Sequence, residues 1–358
     1  MTFTKASYLG SGRGKISLSG AELFKLLHKC FLDLGWNPGE FGLEPMGDPF
    51  PDRDYYRIGV DWFSAGEDAA PKPKDLLPAF DSAVSCDQDF KLYFHNLCAL
   101  HKRRVKYRNI LRAQPRPSMD QIGQRSLLEY GVCDDEFLAT WMIWRKWVYD
   151  IDNRSGQETG YLFEPILASC LGGITIGAKK SKVKRLDEAG RPTSRGRQVD
   201  CYCEDGDEKL AYEFKLRVSI AASGQGRFGE ELSFPEECRA AGFKPMLVVL
   251  SPSPSDRLEE LSEAFVKAGS EPPLIGDRAW AHMEEKAGPI MSKFLEIYIR
   301  PPLTRLAALD NGYPEPVRLK WEKDAITIET ERATYKIERS EEEDVIEGDE
   351  ESGSEDEA

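Results

Sequence analysis

Arg197-Gln198-Val199-Asp200-Cys201-Tyr202-Cys203, Glu204-Asp205-Gly206-Asp207-Glu208 and Lys209-Leu210-Ala211-Tyr212-Glu213-Phe214-Lys215-Leu216 follow one another without a break. Two apolar and aromatic runs flank a polar cluster holding Asp-Gly, a sequence signal for a β-hairpin. With Asp205 and Gly206 as the central turn residues, Asp200 lies opposite Ala211 and diagonal to Glu213. Side chains two apart share a face, so Asp200, Tyr202, Glu213, Lys215 and Arg217 gather on one side. Val199, Cys201, Cys203, Leu210, Tyr212, Phe214, Leu216 and Val218 take the other, an apolar face that belongs in a core. Two carboxylates and an ammonium suit Mg²⁺, which takes hard oxygen ligands and completes its shell with waters and a substrate phosphate. The lysine would hold or deprotonate an attacking water, or stabilise charge building on a phosphate. A solvated strand face with a surface Lys–Glu pair has the same composition, so the hairpin alone leaves both readings open.

Upstream, Gly160-Tyr161-Leu162-Phe163-Glu164-Pro165-Ile166-Leu167-Ala168-Ser169-Cys170-Leu171-Gly172-Gly173 reads as an apolar helix stopped by glycine, with Glu164 its lone acid. In chain order, Glu164, Val199-Asp200 and Glu213-Phe214-Lys215 resemble the PD-(D/E)XK nuclease superfamily. Its core is a helix with an acid, a strand with Asp and a strand with Glu-x-Lys. Val199 stands where that superfamily carries proline. The pattern is most similar to the type II restriction endonucleases, and the helix, basic loop, hairpin and run from Phe214 to Leu250 resemble the ApaLI-like family.

That resemblance implies an α/β fold: a PD-(D/E)XK restriction-endonuclease-like core, with a mixed sheet flanked by helices. It implies Mg²⁺-dependent hydrolysis of double-stranded DNA at a short palindrome, leaving 5′-phosphate and 3′-hydroxyl ends. Asp200 and Glu213 become metal ligands, Lys215 the residue acting on the water, and Glu164 a metal-shell or orienting carboxylate. Arg217, Gln225 and Arg227 stand as phosphate or base contacts.

The chain of 358 residues, 41% hydrophobic, is long enough for two domains or one elaborated domain. No stretch is apolar enough to span a bilayer, and Met1-Thr2-Phe3-Thr4-Lys5 opens no signal peptide, so a cytoplasmic protein is expected. Eight cysteines in a chain of this size are not a disulfide scaffold, and none form a CxxC pair. Cys201 and Cys203 share the apolar face, where buried thiols are favoured over a metal-ligand pair. His28, His95, His101 and His282 are scattered and read as structural or surface residues. The net charge of −14 is concentrated at one end: residues 340–358 hold eleven acids and no base, leaving 51 acids against 48 bases elsewhere. Such a terminus reads as a disordered, solubilising tail.

Ser19 can cap a helix reaching Leu34, with Leu23, Leu26, Leu27, Cys30, Phe31 and Leu34 as its apolar stripe and Gly35 as its stop. Residues 36–78 are punctuated by proline and read as loop, with a short strand at Tyr55–Val60. A long helix is expected from Ser82 to Ala113, then helices at 120–130 and 134–149. Pro235 can open a helix ending near Gly242, Met246–Leu250 reads as a buried strand, and 255–268 and 277–297 read as helices. Alternation from Val317 to Ile337 predicts a small β-meander. The expected divisions are a mainly helical region at 1–150 for recognition or dimerisation, a catalytic core at 151–300, the meander at 301–339, and the tail.

Two segments concentrate positive charge. One is a loop-like stretch with Lys179, Lys180, Lys182, Lys184, Arg185, Arg191, Arg195 and Arg197, leading straight into the Asp200 strand. The other is the far end of the long helix, where Arg103 and Arg104 sit among Lys102, Lys106, Arg108 and Arg112. Both are candidates for phosphate contact. Ser219–Glu231 is glycine-rich but lacks the phosphate-loop spacing.

One Asp200/Glu213/Lys215 cluster can cut one strand of a duplex, so a homodimer is expected. The Trp141–Trp147 helix or the meander would supply its apolar contact. A repair or recombination nuclease without strict specificity would share this site. A catalytically inactive DNA-binding protein would fit the basic segments but has no need of both Glu213 and Lys215, and an interaction protein accounts only for the tail.

Overall fold

The computed structural model describes residues 16–217, 225–251, 256–309 and 315–340. The acidic segment 341–358 and residues 219–224 of the glycine-rich stretch lie outside them, as do Val218 and the side chains of Arg217, Gln225 and Arg227.

Helix α1 (Gly20–Leu34) forms as its caps predict. Ser19 and Glu22 make a reciprocal capping box, and Gly35 closes the helix at φ 73°. The expected strand at Tyr55–Val60 is absent: Tyr55–Arg57 is a 3-10 turn and Val60–Ser64 a short helix. Tyr55 is buried there because its hydroxyl meets Nδ1 of His101 at 2.8 Å, and this tertiary contact outweighs the local β preference. The long helix is broken at Asp87–Asp89 into α2 (Leu77–Cys86) and α3 (Phe90–Ala113).

The helices expected at 134–149 and around Glu164 are one helix, α4 (Asp135–Cys170), with Pro165 inside it. The division expected at 150/151 falls within α4. Residues 120–130 form a single helical turn and a 3-10 segment, Gly123–Glu129, rather than a helix.

A five-stranded mixed sheet follows, with β1 (Ile174–Ile176), β4 (Val199–Asp205), β5 (Glu208–Arg217), β6 (Lys244–Ser251) and β7 (Leu274–Ile275) in spatial order 1-4-5-6-7. β1, β4 and β5 pair antiparallel, whereas β5, β6 and β7 run parallel. The basic stretch expected to be loop carries a two-stranded ribbon, β2 (Lys184–Leu186) and β3 (Pro192–Gly196). Helix α5 (Gln225–Ala240) starts ten residues before Pro235, which lies inside it. Helices α6 (Asp256–Lys267), α7 (Asp277–Phe294) and α8 (Arg300–Ala307) complete the helical layers.

Both faces of the sheet are covered, which is why β6 is an unbroken apolar run. Cys201, Leu210, Tyr212, Phe214, Met246, Val248 and Leu250 pack with α1, α3, α4 and α7 in the larger core. That core draws on residues from Leu18 to Ile299, across the 150/151 division. Ala211, Leu247 and Val249 face α5 and α6 with Phe234, Leu261 and Phe265. Val199, expected beside Cys201, packs in this second cluster instead. The alternation is broken next to it, where the β1–β4 register shifts.

The meander forms as β8 (Arg318–Trp321), β9 (Ala325–Glu329) and β10 (Thr334–Glu338). Trp144 and Trp147 meet Trp321 at 5.5 and 5.8 Å between ring centroids, so these tryptophans and the meander cover each other within one chain. Trp147→Ala should cost about 3–5 kcal/mol, the usual penalty for a buried tryptophan. Urea denaturation measures the loss, and limited proteolysis should cut the meander from the variant before the wild type.

Candidate active site

The hairpin turns at Gly206 (φ 61°) and Asp207, between the paired Asp205 and Glu208. The turn expected at Asp205-Gly206 is thus one residue further on, and the pairing moves by two. A two-residue slip preserves the faces but changes the partners: Ala211, expected opposite Asp200, pairs with Tyr202, and Cys201 pairs with Tyr212. Asp200, Glu213 and Lys215 share a face as predicted. That face is not a solvated surface, because α5 covers it; Asp200 and Glu213 are each 7% exposed.

Each group is held by a named partner. Asp200 Oδ2 accepts the Phe214 N–H at 3.0 Å, which locks the aspartate across the hairpin. Lys215 Nζ donates to Glu213 Oε1 at 2.8 Å and to Glu231 Oε1 at 3.1 Å. Glu231 lies on α5 and was not among the predicted site residues. Its only sequence signal is an adjacent acid pair, Glu230-Glu231, just after the glycine-rich stretch. Glu164 joins the cluster from α4, where its carboxyl feels both Glu213 and Lys215.

The electrostatics follow from one ammonium among these carboxylates. Burial, then Glu213 and Glu164, push the Asp200 carboxyl well above the aspartate range, while Lys215 and the Phe214 N–H oppose this. Burial, then Glu213, push Glu164 up to about 7 against the pull of Lys215. Burial works against the charge on Lys215, but Glu213, Glu231 and Asp200 overcome it and raise its value. Lys215 is therefore a protonated donor in this arrangement. It can stabilise negative charge but has no lone pair with which to take a proton.

Asp200 and Glu213 supply hard oxygens beside a surplus of buried negative charge, which fits a divalent cation such as Mg²⁺. No group of three or more His, Cys, Asp or Glu able to share one ion occurs among the described residues. Two carboxylates with water and a substrate phosphate are the set Mg²⁺ commonly takes.

The cations divide by environment. Lys179, Lys180 and Lys182 are exposed just before β2, and Lys184 is half-buried on it. Arg185 forms a fork with Glu230, at 2.7 and 3.2 Å. Arg197 is buried: it donates to the Glu230 carbonyl at 2.7 Å, pairs with Glu237 and lies over the Phe234 ring, pinning α5 to the sheet. Arg103 pairs with Glu158 at 2.6 Å. Arg104 donates to the Tyr55 and Ile58 carbonyls and covers the Tyr55 ring at 4.4 Å. Arg104 and Arg108 also line a cleft of about 700 Å³ between α3, residues 56–61 and β10.

Paired buried carboxylates beside an ammonium are the equipment of a metal-assisted hydrolase acting on a phosphate. Comparison with known proteins narrows the class. The family model for ApaLI-like restriction endonucleases matches residues 66–300. The type II restriction enzyme ApaLI of Acetobacter pasteurianus is 44% identical over 315 residues, covering 87% of this chain and 81% of that enzyme. No solved structure matches. The chain belongs to the ApaLI-like restriction endonuclease family.

The raised carboxyls make a sign-specific prediction. An acid whose folded value exceeds its unfolded one, about 4, keeps its proton in the fold, so stability is lost as pH rises from there through the folded value. Asp200→Asn keeps an oxygen for the Phe214 N–H and removes the charge. In EDTA the variant should therefore melt above the wild type at pH 8, with the gap closing towards pH 4. Mg²⁺ should raise the wild-type melting temperature and leave that of Asp200→Asn nearly unmoved. A variant that melts below the wild type at pH 8 in EDTA would refute the strained cluster.

Proposed function

We propose that this type II restriction endonuclease cleaves both strands of duplex DNA at a PD-(D/E)XK-type site built from Asp200, Glu213 and Lys215, with Glu164 beside them. The observation that carries the reading is the buried surplus of carboxylate over ammonium on one strand face. Such a surplus is costly unless a cation neutralises it. Asp200 and Glu213 would hold Mg²⁺, whose charge, when bound, polarises the scissile phosphate. Lys215, aimed by Glu213 and Glu231, offers its N–H to the attacking water and to oxygen where negative charge builds. Glu164 orients the cluster from α4. Water attacks phosphorus and gives up a proton to the solvent, and the bond from phosphorus to the 3′ oxygen breaks. That oxygen takes up a proton from solvent, and the products carry 5′-phosphate and 3′-hydroxyl ends.

Residues 151–300 carry this chemistry, and the preceding helical region serves recognition and dimerisation. Lys179, Lys180 and Lys182 are the phosphate contacts flanking the site, together with Lys184, Arg217, Gln225 and Arg227. A homodimer supplies the second cluster for the second strand. Such an enzyme works in the cytoplasm, where the DNA is.

Asp200→Ala and Glu213→Ala should abolish cleavage of plasmid DNA in Mg²⁺. Lys215→Ala should keep DNA binding on a gel and lose roughly two to three orders of magnitude in turnover. Near-wild-type cleavage by any of the three would overturn the site. Neutralising Lys179, Lys180 and Lys182 together should weaken binding to all sequences alike. It should also flatten the salt dependence by about one log–log unit per lost phosphate contact, and an unchanged slope would assign these lysines to solvent.

A further inference from the structure

The segment before α4 and the first turns of that helix turn large apolar side chains outward. Leu127, Leu128, Tyr130 and Val132 are 74%, 92%, 64% and 79% exposed, and Phe137 and Trp141 are 60% and 48% exposed. Phe137 and Trp141 lie four residues apart, on one face of the helix. The 3-10 segment is held to that helix by Arg145, which forks onto Glu129 at 3.1 and 2.7 Å and lies 5.9 Å from the Trp141 ring. Glu129 is flanked by Leu128 and Tyr130, so the same staple holds this segment against the helix turn that carries Trp141. Inward, the segment rests on a small cluster of Ile122, Leu138 and Met142. More large apolar surface faces out here than in.

We infer that this patch is the surface on which a second copy of the chain docks, building a two-fold dimer through Leu128, Val132, Phe137 and Trp141. The inference rests on the proposed double-strand cleavage. Each copy brings one Asp200/Glu213/Lys215 cluster, so its required partner is another copy. The six side chains expose on the order of 600–800 Å² per copy, close to the roughly 800 Å² that each partner buries in a stable interface. Apolar patches above a few hundred Å² are uncommon on monomers. The segment 127–141 also carries Glu129, Asp134, Asp135 and Glu136 and no base, so the two-fold contact is made by the apolar side chains with these acids at its rim. Arg145 and Glu129, at its margin, offer each copy both signs of charge.

The placement has a mechanical consequence. Trp141 and Glu164 lie on the same helix, 23 residues apart, a span of about 35 Å at 1.5 Å per residue. Docking through the first turns of α4 makes the rest of the helix an arm from the dimer axis to each catalytic cluster. The interface thereby sets the spacing of the two cuts.

Sedimentation equilibrium on the full chain tests the surface. Wild type should sediment at twice the chain mass of 40.4 kDa. Leu128→Glu and Val132→Glu should each raise the dissociation constant at least 100-fold with an unchanged circular-dichroism spectrum, and nicked circles should accumulate ahead of linear plasmid. Leu306→Glu, at an exposed leucine on α8, should stay dimeric. Hydrogen exchange on unmodified protein gives a second reading: amides of residues 127–141 should gain protection as concentration rises. A wild type that is monomeric on DNA yet makes double-strand breaks overturns the proposal, as do variants that dimerise normally. Dimers that these variants split, but that never cleave DNA, support the surface and refute the catalytic reading.

Discussion

One ammonium, Lys215, has to satisfy Glu213, Glu231 and the field of Asp200 in a space from which α5 excludes most water. Buried like charges repel with little screening, so this cluster is the least comfortable part of the fold. Everything around it serves to hold it in place. The hairpin carries both Asp200 and Glu213, the Phe214 amide fixes the aspartate across it, and α4 adds Glu164. The rest of the molecule, with a sheet covered on both faces, pays for that strain. On the proposed reading a cation relieves that strain and brings the phosphate with it, so ligand binding and alignment of the reacting groups become the same event.

The parts of this arrangement that could be read from the sequence depend on period. A period of two put Asp200, Glu213 and Lys215 on one face and Cys201, Tyr212 and Phe214 on the other. That reading survived a two-residue slip because a slip of even length leaves the faces intact. Caps were equally legible, as Ser19 and Gly35 show. What failed was a boundary. Separate helices were expected at 134–149 and around Glu164, yet α4 runs unbroken through Gly156, Gly160 and Pro165, because Phe163, Ile166 and Leu167 are buried in the main core. Tertiary packing overrides propensity here. Glu231 was illegible for another reason: its partner lies 16 residues away, across the glycine-rich stretch, at no period a sequence displays.

Charge counting misled in a related way. Arg185, Arg197, Arg103 and Arg104 were grouped with the exposed lysines because composition cannot distinguish a phosphate contact from a structural pin. The structure gives each of the four a protein partner. Arg197 is the clearest case, buried between a carbonyl, a carboxylate and an aromatic face. Guanidinium groups suit this work because their planar fork makes several fixed bonds at once, whereas a lysine ammonium on a flexible stem is better left in solvent to meet a phosphate. The division between pinning arginines and the exposed Lys179 and Lys182 follows that chemistry.

Helix α4 connects these observations. Its N-terminal turns carry the outward apolar patch, its middle packs Trp147 against the meander, and its C-terminal turns bring Glu164 to the carboxylates. A single rigid element that reaches from a surface to a reacting cluster transmits position without any need to move. The meander braces the helix midway, where the Trp144, Trp147 and Trp321 rings interlock. A helix of 36 residues with a proline in its last turns would be prone to bend if it stood alone. Phe163 and Ile166 hold it at the core and the meander braces it midway, so both restraints oppose a bend between the apolar patch and the carboxylate cluster. A scaffold braced in this way suits the proposed cutting of two strands at fixed positions.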